Sequence, residues 1–369
     1  MCKTDDSISS GQRAAIFRLA ALAVAVGAVP GAVARQAGEA GWIAPLLAAP
    51  ALWAVGWLFG CLTGRGERSF ADVCRDRLGR KASALLYIIY IAWALAVAGA
   101  RLRLSAQRLL WAGLDGSERW LLPVLTLSAV WLVWGKAGVC GRAAVLLCRG
   151  VEACLLLVLV LTLSQVRRVN LLPIWVEDAL PSARAGVTVL GVLCCGFYTA
   201  FLPGDAGQED KRCYAGVWRW VRLGLLLSGV IAVVLGAQGA ELTGQLADPF
   251  LTLSRHAGLE GAFQRIESLV CAAWLPADLV LLALLFCADR ELLRKMCPRM
   301  DSRRTLFLPA ITTVAVSGLA FRDVDLARIF CERWLPAGTL VLFVLVPALL
   351  LLVGKGAHLV SKSGKNEKI

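Results

Sequence analysis

The 369 residues are 58% hydrophobic with a mean hydropathy of +0.69, and the apolar residues gather into runs of about twenty, which excludes a soluble domain and makes the chain a polytopic membrane protein. A net charge of +13 would point to nucleic acid in a soluble protein; here it reads as basic loops on one side of a bilayer. Thirteen cysteines, many inside apolar runs (Cys148, Cys154, Cys194, Cys195, Cys271, Cys287), lack paired metal spacing, and there are two histidines. The cysteines read as small membrane-compatible hydrophobes, with no metal and no cofactor implied.

Residues 1–13 form a short polar head. The run 14–34 carries Arg18 as its only charge and is long enough to cross a bilayer at about 1.5 Å per residue. Arg13 before it and Ala32-Val33-Ala34 at its end resemble a signal peptide, but the run is longer than a usual signal core and nine more spans follow. Its far end holds Gly27-Ala28-Val29-Pro30-Gly31. Glycine and proline free backbone groups, which in lipid must face protein, ligand or water, so a broken helix is predicted here. Further spans are predicted over 42–62, 83–103, 120–135 and 143–164, closing a first repeat of five over 14–164. A hydrophilic connection, 165–184, leads to a second repeat over 185–354, with spans at 185–203, 221–240, 266–287, 305–320 and 335–354. A basic tail, 355–369, follows.

With the N-terminus in the cytoplasm, two-thirds of the 39 Lys and Arg fall on the cytoplasmic side, every Lys among them. Both termini are therefore expected inside and the 165–184 connection outside. Two odd-numbered sets insert in opposite senses, the pattern of an inverted repeat. Span 6 should then be broken like span 1, and it carries Gly191, Gly196 and a terminal Pro203-Gly204, with Tyr198 and Thr199 between them. The stretch Glu241–Gln264 is too polar to span. Apolar residues at helical spacing over 249–263 predict an interfacial helix on the outer face, with His256 on its surface.

No phosphate loop, catalytic triad or metal cluster is present in the sequence, so enzymatic activity is not expected. Polar groups at membrane depth carry the information, because they cost several kcal/mol unless paired or hydrated. Asp278 lies thirteen residues into span 8, roughly 20 Å from its outer end. It reads as a proton or cation site, as a contact for a ligand's amino group, or as a vestibule residue if the span ends early. Glu267, near Arg265 at the outer end of span 8, is a gating residue or a solvated helix start. Arg149 and Glu152 are three apart and can pair on one helix face. Tyr90 and Trp93 line a cavity or fill the bundle. Breaks in spans 1 and 6 suit a zwitterion, since helix N-termini hold a carboxylate and freed carbonyls an ammonium.

Several short motifs occur in order: Ile8-Ser9-x-x-Gln12, Ala37-Gly38-x-x-Gly41-Trp42-Ile43, Leu78-Gly79-Arg80, Asn170-Leu-Leu-Pro173, Asp248-Pro249-Phe-Leu-Thr-Leu-Ser-Arg255, then Phe263-Gln-Arg265-Ile266-Glu267 and Trp274. Together they resemble the spore germination permease-like proteins, the B subunits of nutrient germinant receptors, within the amino acid–polyamine–organocation superfamily. The resemblance covers nearly the whole chain and departs from the pattern at Phe197-Tyr198-Thr199-Ala200, where relatives are more polar or acidic. It implies an all-α integral membrane protein of about ten helices with a LeuT-type five-plus-five inverted repeat, helices 1 and 6 broken. It further implies a membrane subunit that binds a small nutrient, an amino acid foremost, in a central cavity between spans 1, 3, 6 and 8. The candidate ligand set is Gly27, Pro30, Gly31, Tyr90, Trp93, Gly196, Tyr198 and Thr199, with Asp278 and Glu267 as ion or gating residues. The partners implied are receptor A and C subunits, in the inner membrane of a bacterial spore. An amino acid transporter working alone, with or without protons through Asp278, and a non-binding scaffold subunit are the alternatives.

Overall fold

The structure, a computed structural model, describes residues 8–64, 68–113, 118–134, 137–172, 175–202, 216–256 and 266–352. Helix α1 (Ser10–Ala37) opens on a capping box, in which the Ser9 hydroxyl accepts from the Gln12 amide at 3.3 Å and the Ser9 amide donates to the Gln12 side chain at 3.0 Å. A 3-10 turn, Gly38–Ile43, leads into α2 (Ala44–Leu62). Helix α3 (Phe70–Trp111) is bent at Gly79, whose φ of 76° suits glycine alone among common residues. Then come α4 (Glu118–Val133) and α5 (Ala137–Thr162), three short 3-10 turns within Leu163–Asp178, and α6 (Ala179–Cys194). Helix α7 (Val217–Gln238) precedes two short helices, α8 (Ala240–Gln245) and α9 (Pro249–His256). The chain continues with α10 (Ile266–Met296) and α11 (Ser302–Leu319). The last span, Val324–Leu352, contains α12 (Val324–Ile329) and α13 (Leu335–Leu340), with π-helical turns at Phe330–Trp334 and Val341–Leu345.

Helical structure stands at each of the ten predicted spans. Among the described residues, seven helical stretches are long and apolar enough to cross a membrane, the first of which, Ser10–Leu62, holds both α1 and α2. Besides the short α8 and α9, the helices outside that set are α4, of 16 residues, and α11, whose first turn carries Arg303 and Arg304. Helix α1 is the buried axis, packed by α5, α6 and α10, while α3 packs against α10 and α11. Of the predicted interfacial helix, Pro249–His256 is helical and 257–263 lies outside the described residues.

Two expectations change. Helix α1 is not broken: it runs through Gly27, Pro30 and Gly31 as one helix. A proline removes one hydrogen bond and adds a local clash, which a helix surrounded by other helices can absorb without unwinding. Span 6 does depart from α-geometry, tightening into a 3-10 helix over Cys195–Phe201 and ending extended at Leu202. Span 3 runs past its predicted end at 103 to Trp111, because Arg101, Ser105 and Arg108 find partners across the bundle and the helix need not stop at them.

Glycines set the closest approaches. A Cβ on Gly191 would come within 2.7 Å of the Pro336 Cα, whereas one on Gly11 would meet nothing within 4 Å. Gly191→Val should lower the Tm of the purified protein by several degrees, in line with an overpacking cost of about 1–3 kcal/mol. Gly11→Ala should leave Tm unchanged or slightly raised; thermal unfolding in detergent checks both.

Candidate functional site

The site is built on one face of α3. Arg101, Ser105 and Arg108 stand at i, i+4 and i+7, and α10 brings Asp278 against them. Arg101 Nη2 donates to Asp278 Oδ1 at 2.6 Å, and Ser105 Oγ and Arg108 Nη1 donate to Oδ2 at 2.6 and 3.0 Å. Arg108 Nε also lies 3.4 Å from Asp248 Oδ2, and its guanidinium sits 5.1 Å from the centre of the Trp274 ring. Helix α1 joins through the Ala23 carbonyl, which accepts from Arg101 Nη2 at 2.6 Å and from Trp274 Nε1 at 3.2 Å. Asp248, in the link between α8 and α9, accepts the Leu251 amide at 3.2 Å and so caps α9. Burial pushes its carboxyl above the ordinary range; Arg108 and the Leu251 amide pull it back in part.

Two cations and two anions are therefore buried together, with exposures of 1% for Arg101, 2% for Asp278, 7% for Arg108 and 7% for Asp248. The balance is neutral, which is what lets them sit there. Asp278 is not a lone acid at depth: both its oxygens are held.

Above this network lies a cavity of about 170 Å³. Gly27 and Ala28 of α1, Arg101, Arg108 and Trp111 of α3, Asp248, and Asp325, Arg328, Cys331 and Glu332 of the last span all line it. A latch closes its rim: Glu332 accepts from Arg35 of α1 and, at 3.0 Å, from Arg328 Nε. Arg35 also holds the Gly244 carbonyl at 2.6 Å, and Arg328 the Leu246 carbonyl. The latch ties the end of α1, the α8 region and α12 together.

Of the eight candidate ligand residues, Gly27 alone lines this cavity. A Cβ there would stand 3.6 Å from Arg108 Nη2 and 3.7 Å from Asp248 Oδ2. Pro30 is buried within α1, and Gly31 faces the Thr243 carbonyl and Pro249. Of the others, Tyr90, Gly196, Tyr198 and Thr199 pack away from it, and Trp93 stands on the last span. Tyr90 donates its hydroxyl to the Leu342 carbonyl and Tyr198 donates to the Tyr90 carbonyl at 3.0 Å. Their rings join Phe59, Phe70, Phe197, Phe201 and Phe343 in one aromatic cluster. Gly196 makes room for the Phe17 ring, which a Cβ would meet at 2.7 Å, and Thr199 donates to the Gly196 carbonyl at 2.9 Å. Trp93 lies over Gly338 with its ring 5.4 Å from Phe330. Aromatic contacts and hydroxyl bonds to carbonyls fill this space, so these residues seal the bundle rather than line a site.

Glu152 pairs with Arg18 of α1 at 2.8 Å and stands 4.0 Å from Arg222, while Arg149 is exposed; the tie between helices replaces the pair predicted along α5. Glu267 begins α10, with its side chain outside the described residues, as are Arg265 and the side chain of His256. Arg101, Arg108, Asp248, Arg328 and Glu332 are the site residues that sequence reasoning missed. The spacing of Arg101, Ser105 and Arg108 was the available signal.

The sequence pattern of the Spore germination protein family (Spore_permease) matches residues 7–321. The chain belongs to that family. No curated protein matches this spore germination protein in sequence. Among solved structures it is similar to MhsT in complex with L-phenylalanine, with a TM-score of 0.66 at 12% identity over 93% of this chain and 98% of that one. Mhp1, a nucleobase-cation-symport-1 family transporter, gives 0.66 at 16% identity over 92% and 78%. The manganese transporter of Eremococcus coleocola gives 0.65 at 12% identity over 92% and 77%. At these identities the likeness shows the fold alone: an all-helical membrane protein of the LeuT type.

In this spore germination protein the charge network sets a stability prediction. Asp278→Ala leaves two buried guanidiniums facing one carboxylate and should cost about 3–5 kcal/mol. The double change Arg101→Met with Asp278→Leu removes one charge of each sign, leaves Arg108 with Asp248, and should recover much of that loss. Denaturation midpoints of the purified variants check it.

Proposed function

We propose that this chain is the permease-like subunit of a nutrient germinant receptor and that the cavity at Gly27 takes a small zwitterion, a free amino acid foremost. The observation that carries this reading is the chemistry of the wall: guanidiniums of Arg101, Arg108 and Arg328 stand with carboxylates of Asp248, Asp325 and Glu332 around one small space. A carboxylate meets donors in fork geometry on α3, and an ammonium meets carboxylates on the α8–α9 link and the last span. The wall carries both signs in balance, which a ligand of no net charge preserves and a single-signed ligand upsets. The cavity is also too small for a drug-sized molecule, for which pockets run to about 300–1,000 Å³.

Loop charge supports an orientation with both termini in the cytoplasm, so that the cavity opens outward and the aromatic cluster closes the inner half. Binding acts by preferring one packing of the bundle over another, since a ligand shifts an equilibrium only by its differential affinity for the two states. The latch is where that preference enters, because a ligand carboxylate competes with Glu332 for Arg328 and Arg35. Partner A and C subunits in the spore inner membrane would read the change. The transporter reading draws on the shared fold with symporters such as Mhp1; it requires uptake into liposomes by the chain alone, which the receptor reading does not.

Spores carrying Gly27→Leu should lose their germination response to an amino acid mixture while all three subunits still accumulate in immunoblots of the inner membrane. Gly27→Ala should retain it, because its methyl group meets neighbours at ordinary contact distance. A normal response from Gly27→Leu with normal assembly would overturn the pocket and favour the scaffold.

A further inference from the structure

Helix α10 carries a second buried aspartate that the site above does not use. Asp289 lies eleven residues after Asp278, three turns on, so both fall on nearly the same face about 16 Å apart. Asp289 is 1% exposed, and neither of its carboxyl oxygens has a hydrogen-bond partner among the described residues. Its neighbours along α10, one turn either way, are Leu285, Phe286, Leu292 and Leu293, the first three fully buried and the last half-buried. The contrast with Asp278, which is held by two arginines and a serine, is complete.

Among the described residues no cation is hydrogen-bonded to Asp289. The 3-10 segment Cys195–Phe201 packs on α10, and its Tyr198 has its hydroxyl committed to the Tyr90 carbonyl. On α3, Tyr90 is committed to the Leu342 carbonyl, and Asp72 pairs with Lys295 of α10 itself. On α1, Arg13 donates to the Leu202 carbonyl and Arg18 pairs with Glu152 of α5. Arg142 and Arg149 of α5 and Arg303 and Arg304 of α11 are exposed, and Glu291 and Arg294 of α10 pair with each other. An ionised carboxylate here would be an uncompensated charge in a dry interior, which costs far more than taking up a proton.

We propose that Asp289 is a proton-binding site of the inner half of the bundle, neutral while that half is closed and ionised when the 3-10 segment Cys195–Phe201 moves off it and admits water. The step is simple. The carboxyl O–H bond breaks, its electron pair stays on the carboxylate oxygen, and the proton passes to water on the side of the Met296 end of α10. That end is seven residues, about 10 Å, away. Ligand binding at the cavity end and proton occupancy at the inner end thereby become linked through one helix. The inference rests on the receptor reading only for its trigger; the protonation itself does not.

Two measurements on the full chain in liposomes test it. Infrared difference spectra of wild type against Asp289→Asn at neutral pH should show one protonated-carboxyl stretch lost in the variant. An unchanged band overturns the proposal whatever the ligand proves to be. Addition of a mixture of the twenty amino acids, followed with a pH-sensitive dye in weak buffer, should release protons from wild type and none from Asp289→Asn, with binding by both confirmed by thermal shift. Binding without any release from wild type overturns the linkage. A mixture that fails to bind wild type overturns the receptor reading instead, and leaves the infrared result to decide the proton site.

Discussion

Four buried charges hold the architecture together. Arg101 and Arg108 come from α3, Asp278 from α10 and Asp248 from the α8–α9 link, and the Ala23 carbonyl of α1 is drawn in through Arg101 and Trp274. Burying such a set gains little over a well-packed apolar core, because desolvation cancels most of the attraction. Its value lies in specification. A guanidinium with two carboxylates within reach fixes the rotation of α3 about its axis and the height of α10 beside it, and a slip of either by one residue would strand a charge in the bilayer. The cavity follows from the same constraint, since its floor is the upper surface of this network and its wall on α1 is at Gly27, where no side chain fills the space.

The two ends of the bundle are built from different chemistry. Around the cavity, contacts are ionic and reach across elements that are short or bent: α8, the α8–α9 link and α12 with its π turn. At the other end, Phe17, Phe59, Phe70, Tyr90, Phe197, Tyr198, Phe201 and Phe343 interlock with ring separations of about 5 to 6 Å. Ion pairs near solvent exchange partners readily with water or ligand, whereas a close-packed aromatic cluster opens as a unit or not at all. The described state accordingly has a cavity under an ionic latch at one end and close-packed rings at the other.

Much of the fold was legible in the sequence, and the reason is the bilayer: a span of about twenty apolar residues has few other readings. Asp278 was legible for the same reason, as a charge where charges are costly. Its partners were not, because Arg101 and Arg108 sit where span 3 meets its boundary and were counted with the loop charges. Hydropathy locates spans but does not say that a helix continues for two more turns once its arginines are paired. Gly27 and Gly196 were singled out by one argument and met different fates. Glycine marks close approach, and sequence alone does not say whether the approaching group is a ligand or, as at Gly196, the ring of Phe17. Tyr90 and Tyr198 show the related ambiguity of a side chain that satisfies its hydroxyl on a backbone carbonyl and its ring in a core.

Helix α10 is the element that could carry a signal between the two ends, and its construction bears on how. A helix of 31 residues buried on most sides moves as a rod, so a displacement at Asp278 is felt at Asp289 with little loss. What differs along it is the strength of attachment. At Asp278 it is tied by several charge-assisted hydrogen bonds to α3, whereas at Asp289 it makes no hydrogen bond to any described residue, and the 3-10 segment packs on it without one there. A 3-10 helix longer than a single turn has poorer hydrogen-bond geometry than an α-helix. Because Phe197, Tyr198 and Phe201 belong to the aromatic cluster, the segment Cys195–Phe201 takes a second arrangement only together with those rings. Coupling needs one element that has two states and another that does not bend between them, and the linkage proposed for Asp289 gives the first role to the 3-10 segment with its ring cluster and the second to α10.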